Sequence, residues 1–227
     1  MFRHLIAAAL AVSTAHASAS LLDQTGTVSI RMSGFSHGYA AANVTVDNFN
    51  TIGVGQLQGT LDGNSFLTYC TDLFQSFSWN TTYAYAYAAT DTAQGLTSIQ
   101  ASRLGKLYTA AGDVANTNES VAFQLAVWEL LYEAPPEDVT AGTFRLLSGA
   151  STAQRALANT WLAEVMATNA AQAFHAQRLS SGAAQDFLVF TAIPQPPSLI
   201  ASVPEPAGYG LVGLALAGLA ASRLRRR

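Results

Sequence analysis

Glu119-Ser120-Val121-Ala122-Phe123-Gln124-Leu125-Ala126-Val127-Trp128-Glu129-Leu130-Leu131-Tyr132-Glu133 carries a helical pattern with one residue out of place. Val121, Leu125, Trp128 and Leu131/Tyr132 recur at spacings of four, three and three or four, the period of an amphipathic helix. Asn116, Thr117 or Asn118 can cap its start, and Glu119 falls in the first turn, where the helix dipole favours a carboxylate. Pro135-Pro136 ends it, because the residue before a proline leaves the helical region. Gln124 is the anomaly: three residues after Val121 and four before Trp128, it shares the apolar stripe. A buried carboxamide without partners costs on the order of 1–3 kcal/mol. Gln124 therefore bonds to backbone in the core, sits at the edge of the stripe, or has a chemical task.

Outward from this helix the pattern changes on both sides. Ala101, Leu104, Leu107, Tyr108 and Ala111 predict a helix from about Thr97, stopped by Gly112-Asp113. Leu157, Trp161, Leu162, Val165 and Met166 predict another from Thr152 to Phe174. Before the helices, Thr25 to Tyr87 reads as β structure. Val28, Ile30 and Met32 alternate with polar residues, as do Val44 and Val46. Gly53, Gly55, Gly59 and Gly63 punctuate the next stretch, and Asp62-Gly63-Asn64 reads as a turn. Phe66 to Phe74 is rich in aromatic and β-branched residues and places Cys70 mid-strand. Tyr83, Tyr85 and Tyr87 alternate with Ala, which suits one face of a half-buried strand better than a carbohydrate-stacking surface. Asp186 to Ala192 reads as a last strand. No period of 20–50 residues is present, which excludes a solenoid. Residues 20–192 thus form an α+β domain: a β-rich body, sandwich- or barrel-like, with an inserted helical subdomain.

The chain has 227 residues, of which 11% are charged, against roughly 25% in ordinary soluble proteins. This excludes a disordered acidic tail or a basic nucleic-acid binder. A single cysteine excludes an internal disulfide framework and a Cys-clustered zinc site. Asp62-Gly63-Asn64 lacks the bidentate glutamate of a calcium loop, and no metal or other cofactor is expected. Glu129 and Glu133, one turn apart, read as a solvated helix edge.

The two ends have their own character. Met1-Phe2-Arg3-His4, an apolar run from Leu5 to Val12 and small residues through Ser20 describe a secretory signal peptide rather than a buried helix. Signal peptidase is expected to cut after Ala19, with Ala17 as the other candidate site. At the far end, residues 193–202 form a Pro-rich linker, followed by Val203-Pro204-Glu205-Pro206, sixteen uncharged residues from Ala207 to Ser222, and Arg223-Leu224-Arg225-Arg226-Arg227. At about 1.5 Å per residue the uncharged run spans roughly 24 Å, short of a ~30 Å hydrocarbon core. Leu224 and snorkelling arginines narrow the gap. The arginines place that end in the cytoplasm, so both ends agree on a chain exported across a membrane and anchored at its C-terminus. Without its ends the chain carries a net charge of −7, since Arg3, the four terminal arginines and Glu205 go with them. That acidity argues against nucleic acid or anionic lipid as a partner.

Residues 203–227 resemble the PEP-CTERM sorting signal of Gram-negative bacteria: a Val203-Pro204-Glu205-Pro206 motif, a short transmembrane helix and an Arg cluster, in that order. The resemblance implies recognition by an exosortase, a membrane cysteine protease, and delivery to the cell surface or an exopolysaccharide matrix. A plain C-terminal anchor is the alternative.

Cys70 is the second anomaly. An unpaired cysteine in an exported protein is a liability unless it is buried, paired between chains or given work. A cysteine sulfur attacking a glutamine carbonyl expels ammonia and leaves an internal thioester, provided the two groups are held close and dry. Tyr69-Cys70-Thr71-Asp72, followed some fifty residues later by Phe123-Gln124-Leu125-Ala126-Val127-Trp128-Glu129, resembles the Cys-Gln thioester (TQXA) domain of Gram-positive surface adhesins. The resemblance implies Cys70 as the thiol, Gln124 as the acyl donor, Trp128 packed beside the bond, and Tyr69, Asp72 and Ala126 as supporting positions. Phe123 stands where that family prefers Thr, which removes a hydroxyl near the reacting carbonyl.

The expected function is single-use covalent attachment in adhesion or biofilm, a surface or matrix amine or hydroxyl opening the thioester; this is not enzymatic turnover. A non-covalent matrix module with a free buried Cys70 is one alternative. A Cys70 hydrolase is another, but His37 and His175 lie in no recognisable papain-like context.

Overall fold

The computed structural model describes residues 22–46, 52–136 and 138–194. The chain divides into a unit ending at Ile193 and a tail beginning at Pro194. Ala19, the Val203–Pro206 motif, the predicted membrane helix and Arg223, Arg225, Arg226 and Arg227 lie outside the described residues. Among the described residues no helix is long and apolar enough to cross a membrane.

Nine strands and three helices follow in the order β1 (Thr27–Phe35), β2 (Ala40–Thr45), β3 (Ile52–Val54), β4 (Leu57–Leu61), β5 (Asn64–Thr68), β6 (Thr82–Ala88), α1 (Ser98–Ala111), α2 (Thr117–Tyr132), β7 (Arg145–Ser148), α3 (Thr152–Met166), β8 (Phe174–Ser180) and β9 (Phe187–Ala192) among the described residues. Six strands form an antiparallel sheet in the order β5-β4-β1-β6-β8-β9. In β1 the buried residues are Val28, Ile30 and Met32, the alternation expected of a strand with one wet face. Asp62 and Gly63 both take positive φ, 48° and 83°, which gives the β4–β5 hairpin a turn of the right twist. A bulge between Met32 and Gly34 bends β1 over β4. There Gly59 is required, because a Cβ on it would lie 2.2 Å from the Arg31 carbonyl oxygen.

The bent sheet nearly closes on itself. Just past β5, Cys70 pairs antiparallel with Phe187 of β9, Leu188 N–H donates to Tyr69 O (3.1 Å) and Thr71 N–H to Asp186 O (3.0 Å). The helices enter between β6 and β8, together with β7, which joins β2 and β3 in a three-stranded sheet. A capping box at Thr97 and Gln100 starts α1, and Gly112 stops it. Asn116 caps α2 by accepting from Glu119 N–H.

Four expectations are corrected. The third helix ends at Met166; a turn comes next, and Phe174 opens β8. The strand expected over Phe66–Phe74 stops at Thr68, and Cys70 lies in an isolated bridge, because Asp72 Oδ1 accepts from Phe74 N–H (2.7 Å) and turns the chain. Helix α2 is not one-sided: Ser120 through Leu130 are all buried, so it is the central helix. Glu129, read as solvated, is accordingly buried.

Candidate functional site

The segment Tyr69-Cys70-Thr71 has two hydrogen-bonding edges, as any extended backbone does. Tyr69 O and Thr71 N–H face β9 and complete the seam. Cys70 N–H and C=O face the opposite way, toward α2, where no strand lies. Gln124 takes the place of one: Cys70 N–H donates to Gln124 Oε1 (2.9 Å), and Gln124 Nε2 donates to Cys70 O (3.0 Å). Both residues are buried. The carboxamide on the core helix therefore satisfies two backbone groups that would otherwise be stranded away from water.

Helix α2 holds the same segment on either side of this pair. Phe123, the residue before Gln124, stacks on Tyr69, the residue before Cys70, with ring centroids 4.2 Å apart and planes inclined at 29°. The aromatic residue at this position thus ties the helix to the seam, which a threonine could not do. At the C-terminal end of the helix, Tyr132 OH donates to Thr71 O (3.1 Å) and accepts from Leu73 N–H (3.0 Å). Burial pushes the Tyr132 phenol up to about 12, so it remains a neutral donor. Tyr69 OH accepts from Gln56 Nε2 (3.0 Å), and Gln56 N–H in turn donates to Ser120 Oγ (2.7 Å) on α2.

Cys70 carries a free, buried thiol. Burial raises its pKa far above the ordinary thiol value, and the carboxylate of Asp72 raises it further. The sulfur is therefore protonated at any physiological pH. Cys70 also lines a pocket of about 340 Å³ that opens between Phe35, Tyr39, Phe77, Trp79 and Gln185.

The predicted residues thus fall into two groups. Tyr69, Cys70 and Gln124 come together, and Asp72 lies beside them, its carbonyl accepting from Gln185 Nε2 (2.7 Å). Ala126 and Trp128 are fully buried, but the Trp128 ring packs against Phe144, at 6.2 Å between centroids. Its Nε1 has no hydrogen-bond partner among the described residues. His175 Nε2 bonds to Asp23 Oδ1 (2.7 Å), and neither it nor His37 lines the pocket at Cys70. Sequence reasoning missed Gln56, Tyr132, Gln185 and the pocket aromatics as site residues. The alternation Phe77-Ser78-Trp79 was their available signal, hidden in a stretch read as framework.

No family model matches the sequence, and no curated protein matches it. Among solved structures the chain is similar to the N-terminal domain of the Streptococcus pyogenes pilus tip adhesin Cpa, with 13% identity and a TM-score of 0.41, over 72% of this chain and 98% of that one. A likeness of that degree assigns no function.

Proposed function

We propose that this protein is an exported surface or matrix protein whose Cys70 and Gln124 form an internal thioester for single-use covalent attachment. The observation that carries this reading is the two-point pairing of the Gln124 carboxamide with the Cys70 backbone. The sulfur that would attack belongs to the residue whose N–H already donates to the carbonyl oxygen under attack. The 2.9 Å bond from that N–H supports the reading, since the same N–H would hold the oxyanion of a tetrahedral intermediate. The Cys70 S–C bond to the Gln124 carbonyl carbon forms, the C–N bond breaks, and the thiol proton leaves with the nitrogen as ammonia. Burial denies the sulfur a standing thiolate, so the proton passes to nitrogen as the S–C bond forms. Export through the signal peptide and sorting through the PEP-CTERM-like tail by an exosortase complete the reading, with the inner membrane as a transient or final anchor.

A specific observation favours a second reading. Gln177 makes the same two-point pairing with the backbone of Gln24 (2.9 Å and 2.9 Å), where no thiol exists. Such pairing can be purely structural, and the protein would then be a non-covalent matrix module with a free Cys70.

Intact mass of the purified protein separates the two. The thioester reading expects the wild type, but neither Cys70→Ala nor Gln124→Ala, to be lighter than its sequence by one ammonia. Methylamine should then add its full mass and release a titratable thiol. A wild-type mass equal to the sequence would leave the structural reading standing.

A further inference from the structure

We infer that the pocket over Cys70 binds a neutral pyranose and presents one of its hydroxyls to the Gln124 acyl group. This names the acceptor class for the thioester and rests on that reading. At about 340 Å³ the pocket lies at the small end of the roughly 300–1,000 Å³ range of ligand sites. Its walls are unusual for a surface. Tyr39 and Trp79 are 56% and 43% exposed, although both are large aromatic residues. They are held rather than loose: Phe35 stacks on Tyr39 (4.6 Å, 20°) and meets Trp79 edge-on (5.5 Å, 66°), and Phe77 braces Trp79 from another side (4.7 Å, 81°). Rigid aromatic faces open to solvent suit a ligand with a flat C–H face, at little entropic cost.

The polar part of the lining points the same way. Gln75, Ser76 and Gln185 line the pocket, and no Asp, Glu, Lys, Arg or His among the described residues does. An alkylammonium or a carboxylate would enter without a counter-ion, losing solvation it could not recover. Gln185 is 4% exposed, and its Nε2 is tied to Asp72 O (2.7 Å), which fixes the carboxamide and leaves Oε1 as an acceptor for a ligand hydroxyl. Stacking faces with neutral amide and hydroxyl partners match a pyranose, apolar on its C–H faces and rimmed with hydroxyls. Cys70 lines the pocket and the fully buried Gln124 does not, so in the thioester the acyl carbon lies one bond behind the Cys70 sulfur. A hydroxyl oxygen attacks that carbon, the C–O bond forms, the C–S bond breaks and the hydroxyl proton passes to sulfur. The sugar stays on Gln124 as an ester, and Cys70 returns to the thiol.

The test has two arms on the purified full chain. In Cys70→Ala, which has no acyl chemistry, the neutral tetrasaccharides cellotetraose, maltotetraose and mannotetraose are titrated against tryptophan fluorescence. Trp128 and Trp161 are buried, so a response from the exposed Trp79 is separable. At least one sugar should saturate, and its affinity should weaken about tenfold in Tyr39→Ala, as for a stacking anchor. No saturable response to any of the three, or saturation by hexylamine alone, overturns the proposal. In wild type that has lost ammonia, the binding sugar should add its full mass, and Trp79→Ala should slow that addition about tenfold, at least about fivefold more than it slows methylamine addition. Equal slowing of both, or sugar binding without any ester, also overturns it. If the wild type never loses ammonia, the first arm still decides the sugar site while the thioester reading alone fails.

Discussion

Gln124 and Gln177 are buried carboxamides set in the same geometry, each giving one acceptor and one donor to a single residue of a distant segment. Gln177 on β8 fastens Gln24, next to the first strand, and Gln124 on α2 fastens Cys70 at the seam of the nearly closed sheet. In both places a side chain does what a missing strand would do. They differ in what the fastened residue carries. The Gln24 side chain turns to the surface and bonds Thr191 Oγ1 (2.9 Å); the Cys70 side chain is a protonated thiol in the core, at the wall of a pocket. The hydrogen-bond pattern alone therefore specifies structure, and chemistry needs the sulfur as well.

The largest expected effect tests that distinction directly. Cys70→Ala leaves the backbone groups that Gln124 pairs with untouched. In the Cys70→Ala background, Gln124→Ala should cost about 2–4 kcal/mol, the penalty for orphaning a buried N–H and C=O. If the thioester of the proposed function forms, it joins residues 54 apart and adds about 4 kcal/mol of loop closure in the wild type, lost when Gln124 is removed. Because the departing ammonia takes the donor to Cys70 O with it, a urea-denaturation double-mutant cycle should then read a coupling of about 2–3 kcal/mol. A coupling below about 0.5 kcal/mol would erase the contrast and make Gln124 a second Gln177.

Next comes Phe123→Ala, expected to cost about 3–4 kcal/mol because the ring is fully buried and stacked on Tyr69. If the stack positions the reacting pair, the fraction of chains that have lost ammonia should fall too, while Phe123→Leu keeps most of the stability. Preserved ammonia loss in Phe123→Ala would show that the two hydrogen bonds suffice. Gln177→Ala should cost less, about 1–2 kcal/mol, because it frees a segment near the start of the folded unit. Amide exchange should quicken at Gln24 and not at Cys70; loss of protection at both would mean that the two pairings are not independent.

How much of this the sequence could say depends on where polar residues are buried. The helices were legible through their apolar period and their ends, the Gly112 stop and the Asn116 cap above all, and β1 through its alternation. Strand β8 was not, because two of its buried residues are His175 and Gln177, polar side chains turned inward to serve Asp23 and Gln24. With its inward face disguised, the alanine-rich run before it read as more helix. Gln124 was visible as a misfit, and backbone pairing was among its expected resolutions. That the backbone in question belongs to Cys70 came only through the thioester-domain resemblance, since no spacing rule links a loop bridge to a helix 54 residues on. The pocket was illegible because its aromatics are gathered from β1, the turn after it and the loop after Cys70.

The smallest effect is a slope with pH, and it too separates the seam at Cys70 from the strap that Gln177 makes with the Gln24 segment. At the strap the Asp23 carboxylate has partners, His175 Nε2 at 2.7 Å and the N–H and hydroxyl of Thr90. At the seam Asp186 has Ser181 N–H (2.8 Å) and the more distant Arg178, and burial outweighs them, with Asp72 adding to the effect, so its pKa is raised. A carboxyl held up in the folded state gives stability that is fully present below its unfolded pKa, about 4, and lost as pH rises through the folded value. Wild-type stability should therefore fall relative to Asp186→Asn, which keeps an acceptor for Ser181, as pH climbs from about 4. The two curves should converge in acid. Since Asp186 O accepts from Thr71 N–H, the charge weighs on the strand pairing that presents Cys70 to Gln124. Exchange of the Thr71 amide should quicken with the same pH dependence, beyond the intrinsic rise with base, and do so less in Asp186→Asn. An identical slope in both proteins would move the titrating group away from the seam.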